Sequence, residues 1–450
     1  MLPRSDLAPE QMARAKPGKS AKPVWLVAWI TVLLIAVAPA LYSQSLPRVQ
    51  PEDVGLSTER LERLTRVMRE YVADGRLSGG VTLVARRGRI AYLEPFGNRD
   101  RESGASMGED AIFRIASQTK ALVSVGVMML QEEGSLLISD PVGKYLPEFM
   151  ETTVARPREG GGGYDVVPAA RAITIRDLLT HTAGVGYGGG TSRDRWQAAG
   201  ITGWYFAHRD EPIAATVARI AALPFEAQPG ERWVYGYSTD ILGVLIERVT
   251  GRSLDDFLRT RILDPLDMRD THFFLPESKR DRLATVYSAD GASGLVRASD
   301  PGGAVGQGHY MDGPRQSFSG GAGLVSTAVD YARFLQMLLN GGELDGVRLL
   351  SPKSVQLMIV DHTGHLQAEG SLGRGMGFGL GFTTVEDLGA RGSLGSEGEF
   401  GWGGAYHSTY WVDPEEELIV VYLTQLIPAG AIDDHRKLRA LVYQALIETR

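Results

Sequence analysis

The chain has 450 residues, 43% hydrophobic and 22% charged, an ordinary globular composition with room for one large domain or two smaller ones. Its formal charge of -7, with no Lys/Arg stripe beyond the N-terminal segment, excludes a nucleic-acid partner. Cysteine is absent and the eight histidines fall in no HExxH-type spacing, which excludes a thiol nucleophile, disulfides and a Cys zinc site and leaves no metal or cofactor expected.

In chain order, residues 1–23 form a polar segment carrying Arg4, Arg14, Lys16, Lys19 and Lys22, followed by an uninterrupted apolar run over residues 24–38. Positive charge before such a run predicts a cytoplasmic N-terminus and an exported remainder, with residues 24–43 serving as signal anchor or signal peptide. The expected location is therefore extracytoplasmic (periplasmic), with the membrane as a partner through this segment. Ser57 then caps a helix whose Leu61, Leu64, Val67, Met68 and Tyr71 recur at helical spacing. Two β-rich runs, Gly80 to Ala85 and Ile90 to Leu93, flank Arg87-Gly88 and predict a hairpin. A second pair, His407 to Val412 and Leu418 to Leu423, flanks Asp413-Pro414, and a periodic segment from Leu438 to Ile447 predicts a closing helix.

Both ends of the exported chain thus read as helix plus antiparallel hairpin, whereas the middle is dominated by helical periods. The expected fold class is α/β (α+β): an antiparallel sheet flanked by helices from residues 52–150 and 315–450, with a mainly helical domain inserted at 151–314. The glycine runs at 160–163 and 188–190 lack the Lys-Ser/Thr of a phosphate-binding loop and are expected to be flexible loops.

One segment can carry nucleophilic chemistry. In Phe113-Arg114-Ile115-Ala116-Ser117-Gln118-Thr119-Lys120, Ser117 opens a helix and Lys120 lies three residues on, so both side chains share one helix face. The helix N-terminus favours a developing alkoxide, and an amine beside the hydroxyl can accept its proton. Ser-x-x-Lys arises by chance, and taken alone it describes a capped helix with a surface lysine. The run from Ala121 to Leu130 is so apolar, however, that Lys120 has no route to water, and a buried lysine without a task is costly.

Further motifs follow in order: Asp140-Pro141-Val142-Gly143-Lys144-Tyr145-Leu146-Pro147, Leu179-Thr180-His181-Thr182-Ala183-Gly184, Trp233-Val234-Tyr235 leading to Ile241-Leu242-Gly243, Gly320-Gly321-Ala322-Gly323, and Trp402-Gly403-Gly404-Ala405. Together with the Ser117 segment they resemble the serine β-lactamase and penicillin-binding-protein superfamily on its class C β-lactamase side, and are closest to the family VIII carboxylesterases. The resemblance runs from about Val54 to the C-terminus. It implies Ser117 as nucleophile, Lys120 and Tyr235 as proton handlers, and the backbone N–H groups of Ser117 and Ala405 as oxyanion hole.

Two departures from the wider family carry information. Its Tyr-x-Asn motif reads Tyr235-Gly236-Tyr237, without the asparagine, and Tyr237-Ser238-Thr239 offers a rival frame that fits the spacing to Gly243 less well. Its Lys-Thr-Gly or His-x-Gly motif reads Trp402-Gly403-Gly404, which removes the cation that would pair with the carboxylate of a β-lactam or D-Ala-D-Ala peptide. Trp402, Gly403, Gly404, Tyr237 and His407 are accordingly expected to bind substrate, although a surface role for His407 is equally open. His181 is expected to be structural, bonding its loop backbone. No Gly-x-Ser-x-Gly elbow is present for a Ser-His-Asp triad.

The expected activity is hydrolysis of a small-molecule carboxylic ester through an acyl-Ser117 intermediate. The alternatives are a β-lactamase or D-alanyl-D-alanine carboxypeptidase, an acyltransferase, and a non-catalytic binder of cell-wall fragments.

Overall fold

The structure is a computed structural model, and it describes residues 46–290, 294–364, 366 and 372–449. Ser57 caps helix α1 (Thr58–Ala73) by accepting from the Arg60 N–H, and Leu61, Leu64, Met68 and Tyr71 form its buried face. The expected hairpin is present as β1 (Gly79–Arg86) and β2 (Arg89–Asp100), followed by the short β3 (Ala105–Ser106). Helix α2 (Thr119–Glu132) comes next, with every residue from Thr119 to Leu130 buried. The remaining elements used below are α3 (Ser238–Thr250), α4 (Ala328–Leu339), β4 (Met376–Phe378), β5 (Thr383–Val385), β6 (Phe400–Gly404), β7 (Ser408–Asp413), β8 (Leu418–Thr424) and α5 (Asp434–Tyr443).

The eight strands form one antiparallel sheet in the order β4-β5-β6-β7-β8-β1-β2-β3. Strands from the early and late parts of the described chain therefore meet at its centre, where Leu83 of β1 pairs with Val421 of β8. The period of two along β8 assigns its faces: Ile419, Val421 and Leu423 enter the core shared with α2, α3 and α4, while Leu418, Val420 and Tyr422 pack against α1 and α5. This is an α/β fold of the β-lactamase type, a central antiparallel sheet sandwiched by helices.

The stretch 151–314 holds short helices and also two hairpins, Thr153–Pro157 with Tyr164–Pro168 and Tyr287–Asp290 with Gly294–Arg297. The run Gly160 to Gly163, all at positive φ, is a loop, and it joins the two strands of the first hairpin. Residues 43–450 cluster as one compact unit, and the division into an α/β and an inserted helical domain is a proposal about folding units. The expected membrane segment, residues 24–43, lies outside the described residues; among the described residues no helix is long and apolar enough to cross a membrane.

Candidate active site

Ser117 is placed by a short strand and a strained turn. Phe113 and Arg114 pair with Ser326 and Val325, and the Ile115 N–H donates to Leu324 O at 3.1 Å. The fully buried Arg114 ties three other segments to this strand, donating to Gln307 O and Ala284 O at 2.7 Å and to Gln425 Oε1 at 3.1 Å. Ala116 then takes φ 42°, a conformation that a side chain disfavours, and lifts Ser117 onto a single 3-10 turn (Ala116–Gln118) ahead of α2. Ser117 is half-buried and lines a cleft of about 450 Å³.

Lys120, the second residue of α2, is only 2% exposed, as its apolar surroundings predict. Its Nζ lies 3.4 Å from Ser117 Oγ, 3.1 Å from the Tyr187 hydroxyl and 2.7 Å from Gly321 O. All three partners are uncharged oxygens, an arrangement suited to an amine that exchanges protons rather than to one neutralised by a carboxylate. Gly321 is held in turn by Asp240 of α3, whose Oδ1 accepts from the Gly321 N–H at 3.1 Å and from Ser319 Oγ at 2.6 Å. A β-carbon on Gly321 would come within 2.4 Å of Asp240 Oδ2, so glycine is required there. Burial pushes the Asp240 carboxyl up; the Ser319 hydrogen bond and the charge of Lys120 pull against it.

Tyr235 is brought to the same cleft. Lys120 Nζ sits 4.7 Å from its ring centroid, and its hydroxyl accepts from Trp402 Nε1 at 3.0 Å. The ring is clamped by Trp233, stacked at 5.6 Å, and by His181, Tyr187 and Trp402 at 4.8, 5.6 and 5.3 Å. Of the two tyrosines in this motif, Tyr235 lines the cleft. Tyr237 is fully buried, stacked on Trp196 and packed against Phe206, and its hydroxyl donates to Gly203 O; it does not line the cleft, which corrects its expected role in substrate binding. Its ring stands edge-on to Tyr187 at 4.9 Å, so its task is to support a residue that does line the cleft.

His181 also differs from expectation. Its ring is buried among Trp233, Tyr235 and Phe378, and Nδ1 has no hydrogen-bond partner, so the side chain packs instead of bonding its loop. Burial, and then the charge of Lys120, push its pKa well down, which keeps it neutral.

Trp402, Gly403, Gly404, Ala405 and His407 all line the cleft. The glycines lie in strand β6 rather than in a tight turn, with Gly404 the last residue paired, opposite Ser408. A β-carbon on Gly404 would meet Ile115 O at 2.5 Å and Ser408 Oγ at 2.4 Å, so glycine lets β6 press against the segment that carries Ser117. Ala405 follows immediately, and it lines the same cavity as Ser117.

Sequence reasoning missed Tyr187, Asp240, Asp434 and His435. An aromatic residue inside the glycine run Val185-Gly186-Tyr187-Gly188 and a lone carboxylate ahead of the apolar Ile241-Leu242 were the signals available. Among the described residues, His407, Asp434 and His435 bring one potential metal-ligand atom each within 4.8 Å. The two imidazoles are stacked at 4.0 Å and 16°, however, so their lone pairs lie in two nearly parallel planes rather than in one plane facing a common ion.

Comparison with known proteins agrees with this architecture. The family model described as Beta-lactamase matches residues 64–444, and the chain belongs to that family. Within it the chain stands close to the family VIII carboxylesterases. It is 34% identical to the esterase EstB of Burkholderia gladioli over 82% of this chain and 91% of that protein. It is 36% identical to protein Rv1367c of Mycobacterium tuberculosis over 81% and 90% of the two chains. The solved structure titled EstCE1, a hydrolase with promiscuous acyltransferase activity, superposes with a TM-score of 0.74 at 28% identity, covering 85% of this chain and 98% of that one.

Proposed function

We propose that the protein hydrolyses neutral carboxylic esters through a covalent acyl-Ser117 intermediate, with Lys120 and Tyr235 as catalytic partners. The observation that carries this reading is the 3.4 Å approach of Lys120 Nζ to Ser117 Oγ, with the other Lys120 bonds directed to uncharged oxygens. Ser117 Oγ attacks the ester carbonyl while Lys120, assisted by Tyr235, takes its proton and delivers it to the departing alcohol. Positioned proton transfer of this kind is worth roughly 10²–10⁴ in rate. The developing oxyanion is held by the N–H groups of Ser117 and Ala405, each such donor contributing about 3 kcal/mol. Water then releases the acid and restores Ser117.

Ester rather than β-lactam or D-alanyl peptide chemistry is favoured by Trp402. It supplies an indole N–H and an apolar ring where relatives that bind carboxylates place a cation, and that N–H is engaged by Tyr235. EstB is named an esterase, and EstCE1 is titled a hydrolase with acyltransferase activity. Both support the ester reading, and the second supports transfer to an alcohol from the same acyl-enzyme. Turnover of p-nitrophenyl acetate and butyrate, set beside nitrocefin, tests the proposal. The expected result is ester turnover abolished by Ser117→Ala, with nitrocefin slower by at least ~10-fold for want of a charge-assisted pair. Equal ester turnover by wild type and Ser117→Ala removes Ser117 from the mechanism.

We further propose that the mature enzyme acts outside the cytoplasm, on the strength of the Lys/Arg-bearing residues 1–23 and the apolar run that follows. Fractionation of cells producing the full chain tests this, with recovery in the periplasmic or membrane fraction expected and recovery in the cytosol contradicting it.

A further inference from the structure

The cleft carries a second set of titratable side chains that acylation does not use. His407 and His435 both line it. His407 Nε2 meets Asp434 Oδ1 at 2.8 Å, and Asp434 is fully buried at the start of α5. The other Asp434 oxygen accepts from the Tyr422 hydroxyl at 2.8 Å. His435 stacks on the His407 ring, and its Nε2 lies 3.3 Å from His407 O.

The backbone at His407 is strained. Ala405, Tyr406 and His407 form the three-residue turn between β6 and β7, closed by the His407 N–H to Gly404 O at 3.1 Å, and His407 has φ 62° at the position glycine normally fills. A histidine kept in that conformation, with its ring fixed by a buried carboxylate and bordering a reactive cleft, is the pattern in which strain marks function.

The charges are also set. Burial pushes the Asp434 carboxyl up, but the hydrogen bonds from His407 and from the Tyr422 hydroxyl hold it below the ordinary range. An ionised Asp434 can only accept, so the His407 nitrogen bonded to it carries the proton and Nδ1 is left as the basic atom. Burial, and then His407, push His435 down to about 4, so it stays neutral and does not compete for the Asp434 charge.

His407 is two residues beyond Ala405, a span of at most about 7 Å, and the acyl carbon of an oxyanion-hole complex lies close to the Ala405 amide. Both residues line the same cleft.

We propose that His407, oriented by Asp434, is the base that accepts the proton of the incoming acyl acceptor, water or an alcohol, during breakdown of the acyl-enzyme. The inference rests on the acyl-Ser117 reading above. The acceptor oxygen forms a bond to the acyl carbon as its proton passes to His407 Nδ1. The tetrahedral intermediate then collapses with cleavage of the bond from carbon to Ser117 Oγ, which takes a proton from the Lys120 and Tyr235 pair. His407 passes its proton through solvent back to that pair, so one ester and one acceptor yield the leaving alcohol and one acyl product, with Ser117, Lys120, Tyr235 and His407 restored.

Rapid mixing of the full chain with p-nitrophenyl butyrate separates the two half-reactions. Variants His407→Gly and His407→Asn both suit the left-handed turn, and Asp434→Asn tests the orienting carboxylate. The expected result for both position-407 variants is a burst of p-nitrophenolate at a rate within 3-fold of wild type, followed by steady-state turnover reduced at least 10-fold. Imidazole added to His407→Gly should restore turnover at least 3-fold, which a merely structural role would not allow. Asp434→Asn should lower steady-state turnover in the same direction. Steady-state rates within 3-fold of wild type in both position-407 variants, or burst and steady-state rates falling together without imidazole rescue, overturn the proposal. Failure of the acyl-enzyme reading would look different: no burst in any variant and undiminished turnover by Ser117→Ala.

Discussion

The indole Nε1–H of Trp402 donates to the phenol oxygen of Tyr235 across 3.0 Å, and the same phenol ring faces the ammonium of Lys120 at 4.7 Å. Trp402 therefore does two things in the proposed mechanism. It withholds a cation from the substrate site, and it fixes the hydroxyl that relays protons. Trp402→Phe keeps the apolar ring against Trp233 and Phe378 but deletes the donor. Loss of one such bond, about 1 kcal/mol, predicts a kcat on p-nitrophenyl butyrate about 5-fold lower with KM changed less than ~3-fold. Steady-state kinetics of the variant check it.

Tyr187 is the neighbour of Lys120 that sequence reasoning did not find. Burial pushes its phenol well above the ordinary range, so at neutral pH it remains protonated and can accept from Nζ without adding charge. Tyr187→Phe should fold normally, because the packing of the ring against Tyr235 and Tyr237 is kept. It should lower kcat by about 5- to 10-fold through a misplaced amine. A melting curve alongside the kinetics separates the two effects.

Gly404→Ala places a methyl group 2.5 Å from Ile115 O and 2.4 Å from Ser408 Oγ, both in segments that cannot move independently of the site. The expected cost is about 1–3 kcal/mol of stability. Because relief requires moving β6 away from the Ser117 turn, kcat/KM should fall at least ~10-fold, in line with the sensitivity of catalysis to small displacements. Denaturant unfolding and ester turnover measure both.

Acid should weaken the fold through His272. Burial, and then the Lys279 ammonium, push His272 down to about 4 from an ordinary 6.5; its Nε2 lies 3.1 Å from Lys279 Nζ and must stay neutral to accept that contact. The folded state binds this proton less readily than the unfolded chain. The corresponding stability is present above pH 6.5 and is lost as pH falls from 6.5 towards 4, by up to roughly 3 kcal/mol. Unfolding free energy compared between wild type and His272→Gln at pH 7 and pH 5 should show the wild type losing more over that interval.

Much of the site was legible because its chemistry is local in sequence. Ser117 and Lys120 are one helical turn apart, and the apolar run after them foretold a buried amine. The central hairpins were legible for a similar reason, since Gly80 to Ala85 and Leu418 to Leu423 alternate between two cores at the period of a strand. What escaped reading depends on tertiary approach. Tyr187 reaches Lys120 across 67 positions and Asp240 meets Gly321 across 81, with no spacing rule to announce either pair. Tyr237 was misjudged because adjacent aromatics in a motif look alike on paper, and only packing against Trp196 and Phe206 separates the buried one from the one at the cleft. The hairpin on either side of the Gly160 to Gly163 loop was not foreseen, because its strands, Thr153–Pro157 and Tyr164–Pro168, are half-exposed and lack an apolar pattern.

The most direct test of the central claim is to trap the acyl-enzyme. The full chain is mixed with p-nitrophenyl butyrate, quenched in acid during turnover, digested and mapped by mass spectrometry, with Ser117→Ala treated in parallel. The account predicts one butyryl group on the peptide containing Ser117 in the wild type and none in the variant, whose turnover is lost. A butyryl group on another residue, or undiminished turnover by Ser117→Ala, would contradict it.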